Sequence, residues 1–275
     1  MNIGFVGTGN MGGAIARGFG ASEAASGSTL IICNRTKAKS EALAAEIASE
    51  GICTVMTTDS AREAAGEAEI VIIGVKPQGM EELLEELAPA ATGDRIFVSM
   101  AAGVSIASMK EKLGSGTKIV RIMPNTPAMV GCAMTSLSAC DEVSGEELAR
   151  VKAIFDSVGR AEVVPEDMID CVIGVSGSSP AYTYMYIEAL ADAATDRGME
   201  PEKARVFAAQ AVLGAAEMVL RSSESLKQLR DNVCSPGGTT IEAVKNLQKN
   251  GFQDTVREAS EAAVKRSIEM TGGKK

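Results

Sequence analysis

Two glycine-rich loops carry the residue types and spacings best suited to chemistry. The first, Gly7-Thr8-Gly9-Asn10-Met11-Gly12, reads G-x-G-x-x-G between the apolar run Ile3–Val6 and a helical stretch at Ala14–Phe19. In such a loop the first glycine permits a tight turn, the second lets a pyrophosphate approach the backbone, and the third lets helix and strand pack closely. The anion then rests on the N–H groups that open the helix. The pattern in this strand–turn–helix setting points to a dinucleotide held by Gly7, Gly9, Asn10, Met11 and Gly12; a glycine turn without ligand is the plainer alternative. The second loop runs Asp231-Asn232-Val233-Cys234-Ser235-Pro236-Gly237-Gly238-Thr239-Thr240-Ile241-Glu242. Pro-Gly-Gly marks a turn, and Thr239 followed by Glu242 has capping-box spacing, so a helix is expected to start there. Two readings stay open. One is a well-capped helix and nothing more. In the other, the N–H groups of Gly238, Thr239 and Thr240 face an anionic group such as a carboxylate, with the Thr240 hydroxyl against the substrate.

The strand after the first loop bears on which dinucleotide is bound. Loops that prefer NAD carry Asp or Glu at its end. Here it ends Cys33-Asn34-Arg35-Thr36-Lys37, with no carboxylate. Arg35 and Lys37 can pair with a 2′-phosphate, and Asn34 and Thr36 can hydrogen-bond it. NADPH is therefore favoured over NADH; solvated charges at a helix start are the alternative. Three later segments fall where open α/β sheets bind ligands, beyond the carboxyl ends of strands. These are Val75-Lys76-Pro77, Ala101-Ala102-Gly103 and Pro124-Asn125-Thr126-Pro127. Small residues at Ala101 and Ala102 would let a nicotinamide lie near the backbone, and two prolines stiffen the loop around Asn125. Lys76 is equally well read as a site cation or a solvated lysine.

What is missing narrows the chemistry. The chain has no histidine, which removes the usual general base and the commonest metal ligand. No metal site is expected. The six cysteines form no CxxC pair and read as small buried apolar residues in a reducing compartment. A net charge of −9 disfavours nucleic acid as a partner. The apolar N-terminus has no basic leader, and no apolar run reaches about 18 residues. A cytoplasmic protein without a membrane partner is expected.

These residues must be positioned by two kinds of architecture. Up to about Val164, β-rich runs alternate with helical stretches, and Ile70-Val71-Ile72-Ile73 is apolar throughout, as a parallel strand covered on both faces requires. Residues 1–164 are thus expected to form an α/β, Rossmann-type doubly wound sheet. Its strands include Ile52–Met56 and Ala161–Val164. Residues 165–275 read as all helix, beginning with Glu166–Val175. Between Val206 and Leu220 only Gln210 and Glu217 are polar, on one stripe with Lys203. About 110 residues can hardly cover so apolar a helix alone, so burial against a second copy is expected; a central bundle helix is the alternative. Glu188, Asp192 and Asp196 read as a solvated row, and the three tyrosines as packing or interface residues.

Together the motifs resemble the pyrroline-5-carboxylate reductase family over essentially the whole chain. GFVGTGNMGGAIARGF, GVKP and AAGVSI look like the family's cofactor segments, and IMPNTPA like its inter-domain segment. VSGSSPAY and LRDNVCSPGGTTIEAV look like its C-terminal signatures, the last being the most specific. The family usually has glycine where Ser179 stands, which puts local geometry there in doubt. The resemblance implies a Rossmann domain followed by an all-α dimerisation domain, often assembled into rings of dimers. It implies NADPH-dependent reduction of Δ1-pyrroline-5-carboxylate, a small-molecule substrate, to proline. It places Val233, Ser235, Gly237, Gly238, Thr239 and Thr240 beside the substrate, with Thr240 the catalytic candidate near the ring nitrogen, and Asn232 beside the cofactor. The site it implies lies between the nicotinamide of one subunit and helices of the dimer. Rival readings are a reductase of another cyclic imine, a β-hydroxyacid dehydrogenase, and a non-catalytic NADP-binding protein.

Overall fold

The computed structural model describes residues 1–270. It divides into two compact units, Met1–Gly177 with the chain from Ala263 onward, and Ser178–Ala262.

The first unit is an eight-stranded sheet in the order β3-β2-β1-β4-β5-β6-β7-β8. The strands are β1 Asn2–Val6, β2 Thr29–Cys33, β3 Thr54–Thr58, β4 Ile70–Ile73, β5 Ile96–Ser99, β6 Lys118–Met123, β7 Ala133–Ala139 and β8 Gly159–Val163. Helices α1 Asn10–Gly20, α2 Lys37–Ala48, α3 Ala61–Glu67, α4 Met80–Leu87, α5 Ile106–Leu113 and α6 Gly145–Asp156 connect them. The central strands are buried on both faces, with Phe5, Ile3 and Ile72 in one apolar cluster and Phe97, Val71 and Ile73 in another. The pairing of β7 with β6 is antiparallel, and β8 pairs parallel with β7, so these two strands run opposite to the other six. The connection over residues 124–132 is too short for a parallel crossover, which needs about a dozen residues or more.

Sequence and structure differ at four places in this unit. The third strand lies at Thr54–Thr58, not Ile52–Met56, because pairing with β2 begins at Thr29↔Thr54. The last strand starts at Gly159, where it meets Ala133. Helix α3 was not anticipated, although Ser60 accepts a hydrogen bond from the Glu63 N–H as its N-cap. The expected helix Glu166–Val175 is a composite: a 3-10 turn at Glu166–Met168, α7 at Ile169–Val172, and a π-helical turn at Ile173–Gly177. Side chains from the β6–β7 connection and the last helix hold this segment within the first unit. Asn125 Nδ2 donates to the Ser176 carbonyl at 3.0 Å, and Ser267 Oγ donates to Asp170 Oδ1 at 2.6 Å.

The second unit contains α8 Ser179–Thr195, α9 Pro201–Arg221, α10 Leu226–Val233, α11 Thr239–Lys249 and most of α12 Phe252–Met270. Ser179 begins α8, and among the described residues no non-glycine residue has positive φ. The serine at the family's glycine position is therefore free of left-handed strain. Helices α8 and α9 bury little: none of α8, and only Ala204 and Ala208 of α9. Val206, Phe207, Leu213, Met218 and Leu220 are all more than half exposed. So wide an apolar surface marks an association face. Glu188, Asp192 and Asp196 are exposed, and Tyr186 packs on Phe252 with ring centroids 6.1 Å apart.

Candidate functional site

The loops after β1, β2, β4, β5 and β6 emerge at one edge of the sheet, since those strands are mutually parallel. Strand order reverses between β1 and β4, and a crevice opens at such a switch point. A cleft of about 740 Å³ lies there, lined by Gly7, Gly9, Asn34, Arg35, Thr36, Val75 and Lys76 among others.

The glycines divide their duties as the spacing requires. Gly7 has φ +85°, and a methyl group on it would stand 2.6 Å from Val75 Cγ1. A methyl on Gly12 would stand 2.7 Å from the Gly7 carbonyl oxygen, and one on Gly74 would overlap the same oxygen. Gly9 is different: a methyl there would have nothing within 4 Å. Three glycines thus let backbones touch, and the fourth faces open space that a ligand could fill. Gly74 was not singled out from the sequence by itself; its signals are its place at the end of the Ile/Val run and in the GVKP segment. Helix α1 opens at Asn10 with Gly9 as N-cap, no side-chain cap and no acidic residue in its first turn. The N–H groups of Asn10, Met11 and Gly12 lack intrahelical acceptors, so they suit an anion. This cradle fits a dinucleotide pyrophosphate.

Asn34 braces the loop: its Oδ1 accepts the Thr8 N–H at 2.8 Å and its Nδ2 donates to Thr8 Oγ1. Its oxygen and one of its two amide N–H groups therefore serve the glycine loop, while the residue still lines the cleft. Lys37 also departs from expectation. It does not line the cleft, and its Nζ lies 3.9 Å from Asp59 and 4.0 Å from Glu41. Two residues later along the helix the direction changes, and Lys39, which the sequence reading passed over, lines the cleft with Arg35 and Thr36. Arg35 and Lys39 make no ion pair among the described residues. Thr36 is the N-cap of α2 without a side-chain cap bond, which leaves further N–H groups open. Among the cleft's carboxylates, Glu86 accepts the Ala61 and Arg62 N–H groups at 3.1 and 3.4 Å. Cys33 adds no negative charge: burial, then Glu86, Asp59 and Glu63, push its thiol up to about 11.

Of the other candidates, Val75 and Lys76 line the cleft, while Pro77, Ala101, Ala102 and Asn125 do not. Val75 packs on Gly7, and Lys76 precedes the short turn Pro77–Gly79. Ala101 is buried and Ala102 half-buried at the end of β5. Asn125 is buried and occupied by Met134 N–H, which donates to its Oδ1 at 2.9 Å, and by the Ser176 carbonyl. It is a structural bridge, not an open cofactor ligand. Only Cys33 and Cys140 are buried, while Cys132 and Cys171 are exposed, so the expectation of six buried cysteines is corrected. All six are free thiols.

In the second unit, α10 ends at Val233 and Gly237 turns the chain at φ +69°. Helix α11 starts at Thr239 with Gly238 as its N-cap and no side-chain cap bond. The capping box expected from Thr239 and Glu242 is absent, because Thr239 is already inside the helix and Glu242 pairs with Lys245 at 2.8 Å. The Gly238 N–H donates to Ser235 O at 3.0 Å, so the open donors are Thr239, Thr240 and Ile241, one residue later than expected. Val233, Ser235, Gly237 and Thr239 are exposed and Thr240 half-buried. Asn232 is tied to Glu224 at 3.1 Å and to Gln228 at 2.7 Å.

Comparison with known proteins follows the same division. Residues 166–270 match the family model described as pyrroline-5-carboxylate reductase dimerisation, which marks this part of the chain as self-associating. Residues 2–103 match the model described as NADP oxidoreductase, coenzyme F420-dependent. The chain is 44% identical to the pyrroline-5-carboxylate reductase of Escherichia coli, over 98% of each sequence. A solved structure of the Coxiella burnetii pyrroline-5-carboxylate reductase is 34% identical, with TM-score 0.91 over 98% of both chains. The Plasmodium falciparum pyrroline carboxylate reductase, solved with NADP bound, is 31% identical, with TM-score 0.84 over 98% of both chains.

Proposed function

Because the chain belongs to the pyrroline-5-carboxylate reductase family, we infer that it reduces Δ1-pyrroline-5-carboxylate to L-proline with NADPH. The observation that carries the cofactor half is the cradle at the switch point, where Gly7, Gly12 and Gly74 are closed by backbone and Gly9 stands open. Gly9, Asn10, Met11 and Gly12 hold the pyrophosphate, and Arg35, Thr36 and Lys39 receive the 2′-phosphate. Val75, Lys76, Ala101 and Ala102 border the remainder of the dinucleotide. When bound, the nicotinamide supplies a hydride to the imine carbon.

The chain's own part is binding and orientation. The open N–H groups at the start of α11 take the substrate carboxylate. Thr240, in the first turn, directs its hydroxyl toward the ring nitrogen and relays the proton that the nitrogen gains. A ring imine is protonated by water near neutral pH, which suits a chain without histidine. Val233, Ser235, Gly237 and Thr239 shape the rest of this pocket. Residues 1–164 are assigned to the cofactor, and 165–275 to substrate and self-association. The exposed faces of α8 and α9 support a dimer, with rings of dimers as the larger assembly. Among the described residues no helix is long and apolar enough to cross a membrane, and a cytoplasmic site is proposed.

The test follows NADPH absorbance with purified protein and Δ1-pyrroline-5-carboxylate, with NADH in parallel. Imine-dependent consumption, faster with NADPH, is expected. Thr240→Ala lowers turnover far more than cofactor affinity. NADPH bound but not consumed would reject the substrate, and equal loss of turnover and affinity in Thr240→Ala would reject its role.

A further inference from the structure

The loop at residues 101–105 is held at both ends by polar groups that the site reading leaves unused. At its entrance, Ser99 Oγ accepts the Ala101 N–H at 3.3 Å. At its exit, Ile106 opens α5, and its N–H has no intrahelical acceptor. Glu166, distant in sequence, provides one: its Oε1 accepts the Ile106 N–H at 2.9 Å. The same oxygen accepts Arg121 Nη1 at 3.0 Å. The Arg121 side chain is only 7% exposed and that of Glu166 33%. Ser99 and Arg121 are register partners on β5 and β6, so one cross-strand pair reaches both ends of the loop. The Arg121 Nε is buried without a partner, and among the described residues Glu166 is the only carboxylate paired with this guanidinium.

We propose that Glu166 and Arg121 are positioning residues for the reduction, acting by fixing the 101–105 loop against which the nicotinamide lies. The proposal rests on the cofactor reading given above. A bifurcated carboxylate oxygen shared by a helix start and a buried guanidinium has a narrow range of positions, so the loop's exit is tied to the sheet and not to solvent. The bond is also a charge-assisted cap on α5, whose own N-cap Ser105 serves the Ser108 N–H instead. Placement of the reacting ring is sensitive to displacements of about 1 Å, which can change rates by about a hundredfold.

The experiment compares E166A, E166Q and R121M with the wild type in the full-length protein. Hydrogen exchange of residues 101–106 is measured without ligand, and kcat, both KM values and the isotope effect from deuterated NADPH are measured with it. E166A should raise exchange in that segment and lower kcat at least tenfold, with the KM for NADPH changed less than threefold and an increased isotope effect. E166Q, which keeps an acceptor oxygen for both donors, should restore most of kcat, and R121M should fall between. R121M retains an apolar stem and stands in if E166A does not fold. Unchanged exchange at 101–106 in the folded variants overturns the proposal whether or not the imine is the substrate. A lowered unfolding temperature with kcat and isotope effect unmoved assigns the pair to stability alone and also overturns it. Imine turnover absent from the wild type, with exchange altered in E166A, places the failure in the substrate reading.

Discussion

Gly9→Ala separates binding from folding more sharply than any other change in the cradle. Gly9 has φ −67° and ψ −161°, an extended conformation open to alanine, and the added methyl would meet nothing within 4 Å. The free protein should therefore keep its stability within about 0.5 kcal/mol, or gain about 0.4–1 kcal/mol from a less flexible unfolded chain. Bound pyrophosphate changes the balance. A phosphate oxygen accepting from this backbone sits at about 2.9 Å from nitrogen, too close to leave a methyl its ordinary clearance of about 3.5 Å. The phosphate must retreat and give up at least one charge-assisted hydrogen bond, a loss of about 1.5–3 kcal/mol. That corresponds to roughly ten- to hundredfold weaker NADPH binding. Gly12→Ala is the control. Its methyl would stand 2.7 Å from the Gly7 carbonyl oxygen, so overpacking should lower stability by about 1–3 kcal/mol even without ligand. Fluorescence titration with NADPH and thermal unfolding of the free protein read the two effects apart. Unchanged NADPH affinity in a well-folded Gly9→Ala would falsify the placement of the pyrophosphate.

Three further outcomes follow from the same structure. Arg35→Ala and Lys39→Ala should each raise the KM for NADPH by about three- to tenfold and leave NADH nearly unaffected, as partly screened phosphate contacts do; Lys37→Ala, already facing Asp59, should change neither, and an equal effect on both cofactors would remove the 2′-phosphate assignment. Phe207 is 68% exposed in the single chain, and burying such a side chain contributes about 1.5–3 kcal/mol, counted twice across a two-fold interface. Phe207→Glu should shift sedimentation toward monomer, and an unaltered oligomer would move the interface elsewhere. Glu147 is held down to about 2, first by the hydrogen bond from Lys118 and next by the Ser144 backbone. A depressed carboxylate stabilises the fold above its ordinary value near 4.5 and loses that contribution as pH falls toward 2. Urea unfolding should show the wild type losing its advantage over Glu147→Gln across that window, and a pH-independent difference would contradict the linkage.

The glycine loop was legible because its requirements are local. A tight turn, a backbone open to ligand and a helix start all fall within a few residues, and only glycine meets the steric terms at Gly7 and Gly12. Helix α5 carries local signals of the same kind, with Ser105 capping its start and Gly114 at its end. Local signals also misled. Thr239 and Glu242 have capping spacing but form no box, whereas Ser144 and Glu147 do. The difference is where the first helical residue falls, which the turn at Gly237 decides.

The apolar face of α9 was also readable as a need for a partner, because the run from Val206 to Leu220 shows more apolar surface than a small helical unit can cover. What the sequence by itself determined, then, was the class of most segments and the presence of a dinucleotide loop. Tertiary structure decided which side chains remain available. Asn34 is partly taken by Thr8, Lys37 faces Asp59 while Lys39 faces the cleft, and Asn125 joins Met134 to Ser176. Each outcome depends on a partner or a wall brought near by the sheet order or the turn of a helix. Hydrogen-bonding capacity is a property of the residue type, but its use depends on which other groups the fold brings within about 3 Å.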